Sequence, residues 1–127
     1  MTPEAAQSLA IARQHLAAAD ASIGLPIGFV AAREAYLAAY HAAMAYVLQQ
    51  TGKSAKTHSG LRSEFARLAR HDARIDPHFT GFLARAYTLK SAADSGVDPL
   101  TAISLDQARE ATAMARQFVE TIASLIA

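Results

Sequence analysis

The stretch Ala35-Tyr36-Leu37-Ala38-Ala39-Tyr40-His41-Ala42-Ala43-Met44-Ala45-Tyr46-Val47-Leu48-Gln49-Gln50-Thr51-Gly52 decides the fold. Its 18 residues include no Asp, Glu, Lys or Arg. Alanine loses no side-chain entropy in a helix, and this run is built on it. The length touches what a membrane span needs, but His41, three tyrosines and two glutamines interrupt the apolar character. The stretch therefore reads as a helix buried inside a bundle, with Gly52 as its stop.

Outward from that helix, breakers divide the chain into five helical stretches. The first is expected from Pro3 to Asp20, capped by Thr2, with Leu9, Ala12, Leu16 and Ala19 on its apolar face. A Gly/Pro loop from Ile23 to Gly28 precedes the second, Phe29 to Gln50. The third begins near Thr57-His58-Ser59 and runs to His71. Asp76-Pro77, a cap and a first-turn proline, starts a fourth that continues to Ala93. Ser95-Gly96-Val97-Asp98-Pro99 breaks the chain again, and motion is expected in the loop from Ser95 to Ser104. Ser104 and Gln107 then form a capping box for a fifth helix. Its face is Ala108, Ala111, Ala115, Phe118, Ile122 and Leu125, recurring at spacings of 3 and 4. Short loops imply that sequential helices are antiparallel. The expected architecture is all-α, a single-domain up-and-down bundle of four to five helices over residues 1–127.

Composition agrees. Alanine supplies 31 of the 127 residues, and hydrophobic residues make up 52% against 18% charged, too apolar for a disordered chain. The absence of cysteine excludes disulfides and thiolate chemistry. A net charge of +1 excludes a whole-surface polyanion binder. The opening MTPEAAQSLAIARQH places Glu4 early and lacks a basic region followed by an apolar core, so no signal peptide is expected. The resulting expectation is a soluble, cytoplasmic protein without a membrane association.

Charge is placed unevenly. Between Lys53 and Arg74 stand Lys53, Lys56, Arg62, Arg67, Arg70 and Arg74 against Glu64 and Asp72. Such a local excess suits a phosphate or an acidic partner surface, and it suits a solvated outer face equally well. The five histidines, at 15, 41, 58, 71 and 78, form no i, i+4 pair, and neither HExxH nor Glu-x-x-His occurs. No metal and no cofactor are implied: GxGxxG, GxxxxGK and GxSxG are all missing.

Two constellations remain. Tyr36 and Tyr40 lie one turn apart, with His41 on an adjacent face. They read either as aromatic packing around a core histidine or as the lining of a groove for a base or a partner helix. Lys56-Thr57-His58-Ser59-Gly60 opens the third helix, where backbone N–H groups, a lysine and an imidazole suit an anion. The alternative is that Thr57 or Ser59 simply caps the helix and His58 lies on the surface.

Taken in order, Tyr36-x3-Tyr40-His41-Ala42-Ala43, Lys56-Thr57-His58-Ser59-Gly60 with Phe65, Tyr87-x2-Lys90-x2-Ala93-Asp94, and a last Ala-rich helix with Phe118-Val119-x2-Ile122 resemble HEPN domains. The likeness is to the small stand-alone bacterial and archaeal HEPN proteins encoded beside a minimal nucleotidyltransferase, and it spans the chain from the first helix onward. It implies a homodimeric helical bundle in a toxin–antitoxin-type pair, with the nucleotidyltransferase as partner and RNA or a nucleotide as ligand. In the ribonuclease members an Arg and a His separated by four to six residues act across the dimer. Here Arg67–His71 and Arg74–His78 leave three residues between and Arg70–His78 leaves seven, so that pair is missing. Where the family reads Arg-x-x-Ala-Asp-Tyr, this chain reads Lys90-Ser91-Ala92-Ala93-Asp94-Ser95. Lysine keeps the charge without the bidentate fork.

The resemblance thus implies a binding module, with Tyr40, His41, Lys56, His58, Arg62, Tyr87, Lys90 and Asp94 as the nucleotide-, RNA- or partner-binding set and no catalytic residue. One alternative is a ribonuclease toxin that uses His58 or His41 as a non-standard site. The other is a structural homodimer whose seam is the Tyr36/Tyr40 or the Phe118/Ile122 face. Lys90 and Asp94, one turn apart, are also expected to pair as a simple surface salt bridge.

Overall fold

The computed structural model describes residues 1–23, 28–94 and 103–127, with the backbone alone for Phe29 and 92–94. Among the described residues the chain is all-α. Helix α1 spans Pro3–Ser22, α2 Gly28–Thr51, α3 His58–Ala69, α4 His78–Asp94 and α5 Leu105–Ile126. No described helix is long and apolar enough to cross a membrane.

The helix ends follow from local chemistry. The Thr2 hydroxyl accepts from the Ala5 N–H at 3.1 Å, and Pro3 fills the first turn, where its missing N–H costs nothing. Ser104 and Gln107 form the expected reciprocal capping box. Gly52 ends α2 with φ +74°, a conformation that other residues adopt only with strain. Thr57 caps α3 by accepting from the Gly60 N–H at 2.9 Å. A Cβ at position 60 would stand 2.8 Å from that hydroxyl, so a larger residue there requires the Thr57 side chain to shift. Helix α3 ends two residues sooner than expected, because the chain turns at Arg70–Asp72 to let the Asp72 carboxylate reach Tyr46 and Arg74.

Helix α2 is the axis of the molecule and packs against each of the other four. Its alanines at 31, 32, 35, 38, 39, 42, 43 and 45 are all buried, so neighbours approach its backbone closely on every side. This explains a 24-residue helix with hardly an outer face. The partner faces are Ala5, Leu9, Ala12, Leu16 and Ala19 on α1, and Ala115, Phe118, Val119 and Ile122 on α5. Leu125, expected in that stripe, is only partly buried, and Ile126 takes the inner position. The one buried polar side chain of α5, Thr112, donates to the Ala108 carbonyl at 2.8 Å.

Contacts fix the directions. The Thr2 N–H meets Gln49 at the far end of α2, while His15 meets Glu34 near its start, so α1 and α2 are antiparallel. Arg13 pairs with Glu120 and Arg116 with Asp20, so α1 and α5 are antiparallel too. The α2–α3 pair departs from the expected alternation. His58 at the start of α3 meets Tyr36 and Tyr40, whereas Phe65 meets Tyr46, so both helices run the same way. The connection 52–57 carries the chain back along α2 before α3 begins, and that return brings His58 to the tyrosines. The Gly/Pro loop and the break after Asp94 fall at 24–27 and 95–102, outside the described residues.

Candidate functional site

The candidate site lies where the first part of α2, the start of α3 and the last turns of α4 meet. Tyr36 and Tyr40 project from α2 one turn apart, with ring centroids separated by 6.1 Å. His58 enters from α3 and stacks on Tyr40 at 4.3 Å. Its Nδ1 is hydrogen-bonded to the Tyr36 hydroxyl at 2.5 Å. Tyr87 of α4 meets the edge of Tyr36 at 5.5 Å. The Arg62 guanidinium, one turn after His58, lies over the Tyr87 ring with its carbon 3.9 Å from the centroid, a cation–π contact. On the other flank His41 meets Tyr40 edge-on at 5.0 Å and stacks nearly parallel on His15 of α1 at 5.3 Å. His15 in turn is hydrogen-bonded through Nδ1 to Glu34 at 2.5 Å.

Burial in the cluster is graded. Tyr36 is fully buried, whereas Tyr40, His41, His58, Arg62, Tyr87 and Lys90 are half-buried and form the rim. The Arg62 Nη1 is the one buried side-chain nitrogen or oxygen among the described residues without a hydrogen-bond partner. An unmet buried donor costs about 1–3 kcal/mol, and the face of Tyr87 offsets only part of that.

Electrostatics explain the protonation states. Burial pushes the Tyr36 phenol up to about 12, opposed by the adjacent Arg62 guanidinium, so it stays protonated. Burial lowers the His58 imidazole below its ordinary 6.5, and the positive charges of Lys90 and then Arg62 lower it further. Burial also lowers His41, followed by the charges of His15 and His58. At neutral pH the centre of the site is a neutral imidazole with cations around it. Positive charge grouped in this way is electrostatically suited to an anion.

Of the eight residues that the sequence singles out, six converge here: Tyr40, His41, His58, Arg62, Tyr87 and Lys90. Lys56 is exposed in the turn before α3 and enters no ring or hydrogen-bond contact of the cluster. Asp94 ends α4, and its side chain, with any pairing to Lys90, lies outside the described part. His58 is no plain surface residue, since Thr57 does the capping and leaves the imidazole to the tyrosines. Three participants are absent from the sequence-derived set. Tyr36 belongs at the centre, and His15 and Glu34 buttress His41. Position 15 shares the face of Ala12, Leu16 and Ala19, a register that places it against α2.

The remainder of the basic run is solvated surface. Arg67 makes a two-pronged pair with Glu64, Arg74 makes one with Asp72, and Arg70 is exposed. Neither proposed dimer seam survives intact. Tyr36, Phe118 and Ile122 are buried within a single chain, Tyr36 beneath α3 and α4 and Phe118 among Phe65, Phe79 and Phe82, so none is available to a second copy. Among the described residues no group of three or more His, Asp or Glu is placed to hold a metal ion. Two open grooves lie away from the cluster. One of about 530 Å³ runs beside Ala69, Ile75 and Pro77, and one of about 400 Å³ lies between α4 and α5 beside Leu89 and Met114. No protein-family model and no curated protein matches this chain.

Proposed function

We propose that this chain is a HEPN-like module of a toxin–antitoxin-type system that binds the phosphate of a nucleotide or RNA at the Tyr40–His58–Arg62–Tyr87–Lys90 rim. On this reading it works as a homodimer with a nucleotidyltransferase partner and lacks the Arg–His ribonuclease pair. The observation that carries the proposal is the meeting of cations and aromatic rings on one neutral histidine, with the Arg62 Nη1 donor unmet. Here the described charges that bear on His58 are Lys90 and Arg62, both positive. Hydrogen bonds to phosphate from charged donors are the strong kind, and an aromatic rim accepts a base or ribose without sequence preference.

Calorimetric titration with adenosine 5′-monophosphate, adenosine and a short oligoribonucleotide tests this. The phosphorylated ligands bind, adenosine does not, and Lys90→Gln weakens binding about tenfold, the loss of one charge-assisted bond. Equal affinity for adenosine and its monophosphate, or no binding of either, overturns the reading.

A further inference from the structure

We infer that Tyr36 is a positioning residue that locks His58 as a neutral hydrogen-bond donor, with its proton on Nε2, so that the site recognises an anion without taking up a proton. The inference rests on the anion-binding reading above and adds to it the chemical form of its central group.

The argument is a count of donors and acceptors around one buried oxygen. The Tyr36 hydroxyl is fully buried; it is hydrogen-bonded to His58 Nδ1 at 2.5 Å, and the Arg62 guanidinium faces it as a donor. A phenol has one proton to donate and must place it on an acceptor. The neighbouring Arg62 guanidinium has only donors, so it cannot receive that proton. If Nδ1 carried hydrogen, both it and the buried phenol proton would compete for one contact, leaving a second orphan donor beside Arg62 Nη1. The arrangement that satisfies every group is Tyr36 O–H donating to the Nδ1 lone pair. The hydrogen bond made by one ring nitrogen then decides the state of the other, and Nε2 carries the proton.

Nε2 makes no hydrogen bond among the described residues and is not an orphaned buried atom, and His58 as a whole is half-buried at the rim. The groups facing the ring from every packed element leave the locked state undisturbed. From α2 come Tyr36 and Tyr40, from α3 Arg62, and from α4 Tyr87 and Lys90. Helix α1 contributes His15, held by Glu34, through His41. Among the described residues none that touches the ring is an anion that would draw a second proton onto it. Protonating Nδ1 would also force the Tyr36 hydroxyl to reverse with nowhere to place its hydrogen. The open nitrogen therefore offers N–H and no lone pair. It can donate to a phosphate oxygen, and it cannot take a proton from a ribose 2′-hydroxyl, the step a histidine-based ribonuclease needs.

Nitrogen-15 spectroscopy of the imidazoles, together with binding of sulfate, which carries no proton of its own between pH 5.5 and 8, tests the lock. In the native protein the His58 Nδ1 resonance is expected in the unprotonated range and Nε2 in the protonated range down to pH 6, and sulfate affinity stays flat across that interval. Tyr36→Phe, near-isosteric and checked for native helicity, frees Nδ1. His58 then titrates closer to 6.5, and sulfate affinity climbs with acidity by as much as about tenfold per pH unit. An unprotonated Nε2 in the native spectrum, a native His58 already charged at pH 6, or an affinity that rises with acidity before any substitution overturns the inference. Absence of sulfate binding at every pH, with the nitrogen spectrum as expected, instead breaks the anion-binding reading and leaves the lock standing.

Discussion

Helix α2 carries two tyrosine clusters ten residues apart, and they are built on opposite terms. Around Tyr46 everything is paired. Its hydroxyl donates to Asp72 at 2.7 Å, Asp72 accepts two further bonds from the Arg74 guanidinium, and the ring beds against Phe65, which leads on to Phe118. Around Tyr36 the partners are His58, Tyr40 and Tyr87, the nearby charges are Lys90 and Arg62, and one donor is left unmet. Burial pushes both phenols up to about 12, yet one rests on a satisfied carboxylate and the other on a neutral base among cations. A folded chain tolerates the second arrangement at a cost in stability. The Tyr46 cluster holds the bundle together, and the Tyr36 cluster is the part proposed to take a ligand.

The sharpest way to break this contrast is Phe118→Ala. Phe118 is fully buried against Phe65, Phe79 and Phe82, and its truncation is expected to cost about 3–5 kcal/mol in urea unfolding. Total stability of a domain this size is only about 5–15 kcal/mol, so this is the largest single effect expected. Next is Asp72→Asn, which removes the carboxylate charge and replaces one of the two oxygens shared by Tyr46 and Arg74 with a donor; it is expected to cost about 1–2 kcal/mol at pH 7. Arg74 and Tyr46 hold the Asp72 carboxyl well below its ordinary range. A depressed folded value means that its contribution is complete above about pH 4 and fades below that. Native protein should therefore lose stability on acidification from pH 4, and Asp72→Asn should lose less. An unchanged acid limb in the variant would show that Asp72 is not the group responsible.

The Tyr36 side predicts a gentler slope at higher pH. His41 and His58 both sit below their ordinary 6.5 when folded, so the unfolded chain binds protons first. Stability is full above about pH 6.5 and declines as pH falls further, and the decline is expected to be shallower in a His41→Gln variant. The smallest effect on folding is expected from Arg62→Met. The substitution removes a cation–π contact and an unmet buried donor together, and the unfolding free energy should move by no more than about 1 kcal/mol. Binding of adenosine 5′-monophosphate should nevertheless fall at least about tenfold. A loss of several kcal/mol in Arg62→Met would place this arginine with the structural cluster and erase the contrast.

Much of the fold was legible because helix ends are written locally. Thr2-Pro3, Gly52 and the Ser104–Gln107 pair each mark a terminus by chemistry within a few residues. The Tyr36/Tyr40 adjacency was legible for the same reason, since one helical turn joins them. The direction of α3 was not, because it depends on how the connection 52–57 travels in space. Arg62 belonged to the binding set that the resemblance implied, but its contact with Tyr87 follows from the α3 register relative to Leu61 and Phe65. His15 and Glu34 meet across a separation of 19 residues that no local pattern encodes.

The pairing of the first helix with the last has a consequence for the order of assembly. Arg13 finds Glu120 and Asp20 finds Arg116 across 107 and 96 residues of chain. A ribosome delivers α1 through α4 before α5 exists, so during synthesis the face of α2 that receives Ala115, Phe118 and Ile122 is open to water, and two charges on α1 wait for their counterparts. Helices α1 to α4 can dock early through local contacts, while α5, made after them, closes the core and fastens both edges at once. Until then the nascent chain carries an uncovered apolar strip suited to a chaperone, and a ribosome that stalls before residue 118 leaves that strip exposed.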